Sequence, residues 1–218
     1  MRVELIADSE YFDGFSTWLK NAGIELVEQE AEVILDLSFL DPEEKLRRLR
    51  KLEISSGLLI TNTLTISTTK VAESLENVAV TGCPILPGYS TSQKMLEFSL
   101  PIGKTEVRDK ATEFFKAIGK ESELISDSVG GIFPRSIAMI VNEAAFALQE
   151  SVATAPDIDQ AMKLGTNYPK GPLALCDEIG AKAIVAVLDA LGKEYGQDRY
   201  RPAALLRRHA EAGLKFYQ

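Results

Sequence analysis

Residues 33–61 read VILDLSFLDPEEKLRRLRKLEISSGLLIT, and this stretch decides the fold class. Val33–Leu37 and Leu58–Thr61 are short, nearly continuous apolar runs, the pattern of strands buried on both faces. Between them the spacing predicts a helix. Asp41 is suited to cap it, Pro42 fits a first turn that needs no N–H, and Glu43 and Glu44 favour the positive end of the helix dipole. Leu46, Leu49 and Leu52 mark its buried stripe. Lys45, Arg47, Arg48, Arg50 and Lys51 lie beside that stripe, and their helical spacing reads as a solvated basic face rather than a phosphate site. Strand, helix, strand in this order is the repeating unit of a parallel sheet covered by helices.

The same alternation extends in both directions. Upstream, Val3–Ala7 reads as a strand, Phe12–Ala22 as a helix ended by Gly23, and Ile24–Val27 as a second strand. Downstream, Ser67 can cap a short helix over Thr68–Leu75, and Val78–Thr81 is a strand broken by Gly82 and Pro84. Met95–Ser99 is a further strand. Thr105–Ile118 is the clearest helix, with Val107, Ala111, Phe114, Phe115 and Ile118 on one face and Gly119 as its stop. Leu124–Ile125 closes this half. Gly130-Gly131 then punctuates the chain, and only helices are read beyond it. They are Ile132–Glu150, a segment from Pro156 to Gly165, Ala181–Leu191 and Pro202–Ala212, with a loop at Tyr168–Pro172 that cannot continue a helix. Ile132–Glu150 is apolar nearly all round, so cover is expected on more than one of its faces. The expected domains are 1–129 and 130–218.

A net charge of −8 argues against nucleic acid, whose phosphates call for a surplus of Lys and Arg on the contacting face. No apolar run approaches the ~20 residues of a membrane span. The opening MRVELIADSEYF reaches acidic residues too early for a signal peptide, so a cytoplasmic location is expected. Cys83 and Cys176 show no metal or redox spacing and read as buried apolar residues.

The second half resembles the C-terminal domain of the 3-hydroxyacyl-CoA dehydrogenase family. The matching stretches are Gly131-Ile132-Phe133-Pro134-Arg135, Asn142-Glu143-Ala144 and Asp157-Ile158-Asp159-Gln160-Ala161-Met162-Lys163-Leu164-Gly165. They continue through Tyr168-Pro169-Lys170-Gly171-Pro172-Leu173 and Asp177-Glu178-Ile179-Gly180 to Gly213-Leu214-Lys215-Phe216-Tyr217. Upstream, Leu59-Ile60-Thr61-Asn62-Thr63 resembles the family's strand ending in Ser-Asn-Thr-Ser-Ser. The resemblance implies an α/β fold: a reduced Rossmann-like, mostly parallel sheet domain followed by an all-helical domain that forms a homodimer and closes over a cleft. Most matching residues have structural uses in any case. Gly165, Gly171 and Gly180 permit turns, and Asp157 and Asp159 favour a helix start.

Hydride transfer to a nicotinamide needs a pyrophosphate cradle, a base and groups to hold a carbonyl oxygen. The cradle is normally G-x-G-x-x-G, whose glycines let backbone N–H groups reach the phosphates. Here the first turn reads Ala7-Asp8-Ser9-Glu10-Tyr11-Phe12-Asp13, with no glycine before Gly14 and three carboxylates where an anion should sit. Glu28, after the second strand, could mimic a ribose-binding acid but reads as a solvated end. The family's base is a histidine held by a glutamate. The only histidine is His209, in the last helix, and the expected position falls on or beside Gly82. The orienting glutamate corresponds to Glu97, which alone could be a remnant, a new base or a surface residue. The family's serine corresponds to Leu64, with Thr65 one step on, and its asparagine to Pro134 before Arg135. The long helical segment that family members carry between the second and third strands, and use to contact acyl-CoA, has no counterpart between Glu28 and Ala31.

These substitutions lead to a catalytically degenerate relative that needs no cofactor, forms a homodimer and takes an acyl-CoA-like ligand or a partner protein. One alternative is an active NAD-dependent 3-hydroxyacyl-CoA dehydrogenase of fatty acid metabolism with relocated groups. Another is an unrelated activity built on Glu97, Asn62, Thr63 and Thr65.

Overall fold

The structure is a computed structural model that describes residues 1–39, 41–52, 54, 57–87 and 93–217, with the side chain of Glu10 outside that description. It divides into two compact units: a sheet unit of Met1–Ile85 with Ser90–Ile132, and a helical unit of Leu86–Tyr89 with Phe133–Gln218.

The sheet unit contains β1 (Arg2–Ile6), α1 (Ser9–Asn21), β2 (Glu25–Leu26), β3 (Val33–Asp36), α2 (Pro42–Leu49) and β4 (Leu58–Thr61), in that order. It continues with α3 (Thr68–Glu73), β5 (Ala79–Gly82), β6 (Met95–Ser99), α4 (Arg108–Ala117) and β7 (Glu121–Ile125). The strands form one seven-stranded sheet in the order β2-β1-β3-β4-β5-β6-β7. All neighbours are parallel except β5 and β6, which meet antiparallel at Gly82 and Ser99. Every residue of β3 and β4 is buried, because helices cover both faces. Val33, Leu35, Leu58 and Ile60 pack with Phe15, Leu19, Phe114 and Phe115 on one face. Ile34 and Leu59 pack with Ile6, Leu46, Leu49, Val71 and Val80 on the other. The mostly parallel, Rossmann-like sheet expected from the alternating pattern is present.

Local signals hold well at the helix starts. Asp41 accepts the Glu43 and Glu44 N–H groups, and Ser67 accepts that of Lys70. Two helix starts need correction. The first helix begins at Ser9, so Glu10 and Asp13 belong to α1 and the turn after β1 shrinks to Ala7 and Asp8. Without a glycine to break it, the chain continues helically back to Asp8, whose carbonyl accepts from Tyr11 and Phe12. Thr105–Val107 precede rather than join α4, although Val107 is buried with it.

Lys45 is the larger correction. It does not join the solvated face of Arg47, Arg48, Arg50 and Lys51 but is 1% exposed, with Nζ 2.6 Å from Asp36 Oδ2. Nζ also donates to the Ser38 carbonyl at 2.7 Å. Asp36 accepts from the Ser38 hydroxyl at 2.5 Å and the Thr61 hydroxyl at 2.7 Å. Lys45 sits one helical turn before Leu49, on the same face, so its long stem shares the side that packs on the sheet.

The helical unit holds α5 (Phe133–Gln149), α6 (Ala155–Thr166), α7 (Pro172–Ile179), α8 (Ala181–Tyr195) and α9 (Ala204–Ala212). The sequence reading missed α7. The loop ends there because Pro172 stands at the start of a new helix, where its missing N–H costs nothing. On α5, Ile137, Ala138, Val141, Ala144 and Ala145 are buried, whereas Met139, Ile140, Phe146 and Leu148 are only partly covered. Asn142, on the buried side, donates to Arg201 O at 2.9 Å and accepts from Ala203 N at 2.8 Å, tying α5 to the segment before α9.

The Asp36–Lys45 pair generates a stability prediction. Burial pushes the Asp36 carboxyl up, but Lys45 and the hydroxyls of Ser38 and Thr61 outweigh it and hold the group below its ordinary value. A carboxylate with a depressed folded-state pKa contributes stability above its unfolded value, near 3.9, and loses it as pH falls through the folded value. Urea unfolding should therefore show stability falling as pH drops below about 4. Lys45→Met, which strands a buried carboxylate, should cost roughly 3–5 kcal/mol at neutral pH. The double variant Asp36→Asn, Lys45→Met should be less damaged than Lys45→Met alone.

Candidate functional site

The polar residues singled out in the sequence lie in the sheet unit, at or beyond the carboxyl ends of the parallel strands and on β6. This is where open α/β sheets place ligands. Asn62 follows β4 and is 2% exposed. Its Nδ2 donates to Ile85 O at 2.9 Å and Leu37 O at 3.4 Å, and its Oδ1 accepts from Ile85 N at 3.1 Å and Leu64 N at 3.2 Å. Its amide is thus committed to backbone. Thr63 is fully buried, and its Oγ1 has no hydrogen-bond partner among the described residues, as is also true of Thr81 Oγ1. Leu64 is buried and apolar, and Thr65 is half-buried.

Glu97 lies on β6, half-buried, with Oε2 accepting from Ile132 N at 2.7 Å. Gly82 ends β5 in a closely packed polar nest. A Cβ there would stand 2.1 Å from Thr68 Oγ1, 2.6 Å from Thr63 Cγ2 and 2.8 Å from Ser99 Oγ. Thr68 and Ser99 are themselves hydrogen-bonded through their hydroxyls at 2.6 Å. No side chain larger than hydrogen fits at Gly82 without displacing this nest. Nearby Cys83 is fully buried, and burial and then Glu97 push its thiol far above the ordinary range. Cys176, in the helical unit, is pushed up to about 12 by burial and Asp177. Neither thiol supplies a thiolate at neutral pH.

A dinucleotide's pyrophosphate would have to sit at the turn between β1 and α1. There, Asp8 Oδ2 accepts from Phe39 N at 3.2 Å, joining the end of β1 to the segment after β3. The Tyr11 and Phe39 rings meet with centroids 5.9 Å apart. This is the topological switch point, since β2 lies on one side of β1 and β3 on the other. A carboxylate, two aromatic rings and the absence of glycine do not fit a dinucleotide there. Glu28 is exposed and lines a groove of about 850 Å³ with Arg2, Glu4, Glu30, Glu32 and Lys51. That groove lies at the opposite, amino-terminal ends of β1 and β3, so Glu28 does not join the other candidates.

In the helical unit, His209 stacks on Phe216 with centroids 4.2 Å apart, and its Nδ1 is buried without a hydrogen-bond partner among the described residues. Pro134 is buried in the first turn of α5. Among the acids of the matching stretches, Asp159 and Asp177 act on backbone. Asp157 forms a reciprocal cap with Thr154 at the start of α6. Asp159 caps α7 rather than α6, accepting from Leu173 N at 2.8 Å and Ala174 N at 2.9 Å, and it also accepts from the Tyr217 hydroxyl at 2.9 Å. Burial, Asp159 and Asp177 push that phenol up to about 12. Asp177 accepts from Phe216 N and Tyr217 N, both at 2.8 Å, and so fixes the terminal Phe-Tyr. Sequence reasoning missed these long-range caps, because nothing in local spacing links residues 159 and 177 to residues 216 and 217. Gly171 is glycine because a Cβ would lie 2.2 Å from Asp159.

Residues 130–215 match the family model for the 3-hydroxyacyl-CoA dehydrogenase C-terminal domain. The 3-hydroxyadipyl-CoA dehydrogenase of Escherichia coli is 46% identical over 101 residues, which cover 46% of this chain and 21% of that protein. The 3-hydroxybutyryl-CoA dehydrogenase of Clostridioides difficile is 32% identical over 156 residues, 71% of this chain and 56% of that one. The matches to these curated relatives thus span between about a fifth and just over half of their lengths. The crystal structure of (S)-3-hydroxybutyryl-CoA dehydrogenase from Ralstonia eutropha shares the fold, with a TM-score of 0.78 at 22% identity over 97% of this chain and 94% of that one. Over residues 130–215 the chain thus carries the C-terminal domain of the 3-hydroxyacyl-CoA dehydrogenase family, and along its length it shares the fold of that crystal structure.

Proposed function

We propose that this chain does not transfer hydride, and that it binds an acyl-CoA-like molecule rather than converting one. The observation that carries this reading is the nest around Gly82. The resemblance puts the family's base at or beside this position, and even a methyl group has no room there. A residue able to take a proton near neutrality is what the reaction needs. Two further observations support the reading: the committed amide of Asn62, and the filled switch point at Asp8, Tyr11 and Phe39. The ligand class comes from the names of the two curated relatives, a 3-hydroxyadipyl-CoA dehydrogenase and a 3-hydroxybutyryl-CoA dehydrogenase. Fold alone does not settle chemistry, and the residues at the site weigh more than the family name.

The assay is oxidation of NADH with acetoacetyl-CoA, followed by absorbance. The expected rate is that of the enzyme-free control. Turnover well above it, abolished by Glu97→Gln, would establish the opposing reading of an active NAD-dependent dehydrogenase with relocated groups. Gly82→His should not create activity, and it should lower stability by roughly 1–3 kcal/mol or more, as overpacking of a filled interior does.

Titration calorimetry at low salt gives any basic group its best chance to attract a dinucleotide, because screening is weakest there. NAD⁺ should still show no binding in the low micromolar range. CoA or acetoacetyl-CoA should raise the melting temperature, since a ligand selective for the folded state stabilises it. Failure of both to do so ends the acyl-CoA reading.

We further propose a homodimer formed through the helical unit. Met139, Ile140, Phe146 and Leu148 are incompletely covered within the unit, and Val152 and Leu164 are 72% and 77% exposed. Twofold self-pairing is the commonest way for soluble chains to cover such surface. Light scattering should give twice the chain mass, and Met139→Asp should split the dimer or unfold the unit. A stable monomer at micromolar concentration would end the proposal.

A further inference from the structure

The chain leaves the sheet unit twice, after Ile85 and after Ile132. Two of the polar residues that sequence reasoning placed in a candidate site, Asn62 and Glu97, each hold one of these exits. At the first, the Asn62 amide makes a paired hydrogen bond with Ile85, accepting from its N–H at 3.1 Å and donating to its carbonyl at 2.9 Å. At the second, Glu97 Oε2 accepts from the Ile132 N–H at 2.7 Å. The exits also touch. A Cβ on Gly131 would stand 2.5 Å from Pro84 Cγ and 2.5 Å from Glu97 Oε2, so Pro84 and Gly131, each one residue before an exit, pack directly on one another.

The backbone at the second exit is set for this approach. Gly130 and Gly131 both adopt left-handed conformations, with φ of 74° and 57°. Gly130 N donates to the Thr63 carbonyl at 2.9 Å, one residue beyond Asn62. Two adjacent glycines at positive φ bend the chain sharply, and only glycine does so at little steric cost. The bend brings the Ile132 N–H onto Glu97.

We propose that Asn62 and Glu97 form a clasp that closes both exits together, a conformational device in place of a catalytic pair. Asn62 and Glu97 are positioning residues in it, each holding the backbone of one exit residue. The clasp is independent of the hydride-transfer reading above, because it operates whether or not the chain turns over a thioester. Its opening is local: loss of the Glu97 contact loosens the Ile132 N–H, and the Pro84–Gly131 contact passes the disturbance to Ile85.

Amide hydrogen exchange at single-residue resolution on the full chain tests this. Glu97→Ala should speed exchange at Ile132 by roughly tenfold, the scale of one lost hydrogen bond, with a smaller rise at Ile85. Glu97→Gln keeps an acceptor oxygen and should restore most of the protection. Gly131→Ala, whose methyl would press on both Glu97 Oε2 and Pro84 Cγ, should open both exits through that clash and through strain at a positive φ. Asn62→Ala should act first at Ile85. Amides of β3 and β4 should change little in the Glu97 variants. Unchanged exchange at Ile132 in Glu97→Ala would overturn the proposal. So would equal effects of alanine and glutamine, or uniform acceleration across β3 and β4, which marks general destabilisation. Should Asn62→Ala fail to fold, the Glu97 pair and Gly131→Ala decide the matter alone.

Discussion

Polar groups at the carboxyl ends of a parallel sheet are buried from two sides, and a buried polar group without a partner is costly. Much of this sheet unit follows from meeting that requirement internally. Asp36 at the end of β3 takes Lys45, Ser38 and Thr61. Asn62, after β4, takes Ile85, Leu64 and Leu37. Asp127, after β7, accepts from Thr68 N and Thr69 N, both at 2.8 Å, and so fixes the start of α3 against the last strand. These partners are the chain's own backbone and side chains, which makes the strand ends a self-satisfied layer.

That layer bears on function. A cleft that binds substrate leaves donors and acceptors pointing at open space, where binding the ligand meets the cost of desolvating them. At the switch point, Asp8 meets Phe39 and Tyr11 meets Phe39. At Gly82, hydroxyl groups occupy the volume that a larger residue would need. The two orphaned hydroxyls of Thr63 and Thr81 are the exceptions among the described residues. The helical unit solves the same problem with aspartates: Asp159 and Asp177 gather N–H groups from a helix start and from the chain's final residues. The residues that match the family best in that unit are thus those whose side chains hold its backbone together.

A resemblance carried by residues and a reading of chemistry from those residues can point in different directions, and here they do. The likeness to the family rests on a segment whose glycines and aspartates have structural uses. The proposal that hydride transfer is absent rests on a few positions, where the resemblance sets Leu64, Gly82 and Pro134 against the family's polar residues. The first argument is about architecture and is satisfied by caps and turns. The second concerns proton transfer and charge, which caps and turns do not supply.

The order of elements was legible in the sequence because it depends on local chemistry. Asp41 and Ser67 cap the helices they precede, and the apolar runs at 33–37 and 58–61 are strands because only a doubly covered sheet buries every residue. The loss of the glycine cradle was legible as well, since backbone approach depends on residue type alone. What tertiary structure decided were contacts between residues far apart in sequence. Lys45 belongs to a basic run by spacing, but its place against Asp36 depends on how α2 lies on β3. Glu97 reads locally as a lone strand carboxylate, and only packing brings the Ile132 N–H, 35 positions later, onto its Oε2. A side chain's role here depends on which distant backbone arrives beside it, and packing, not local spacing, brings that backbone there.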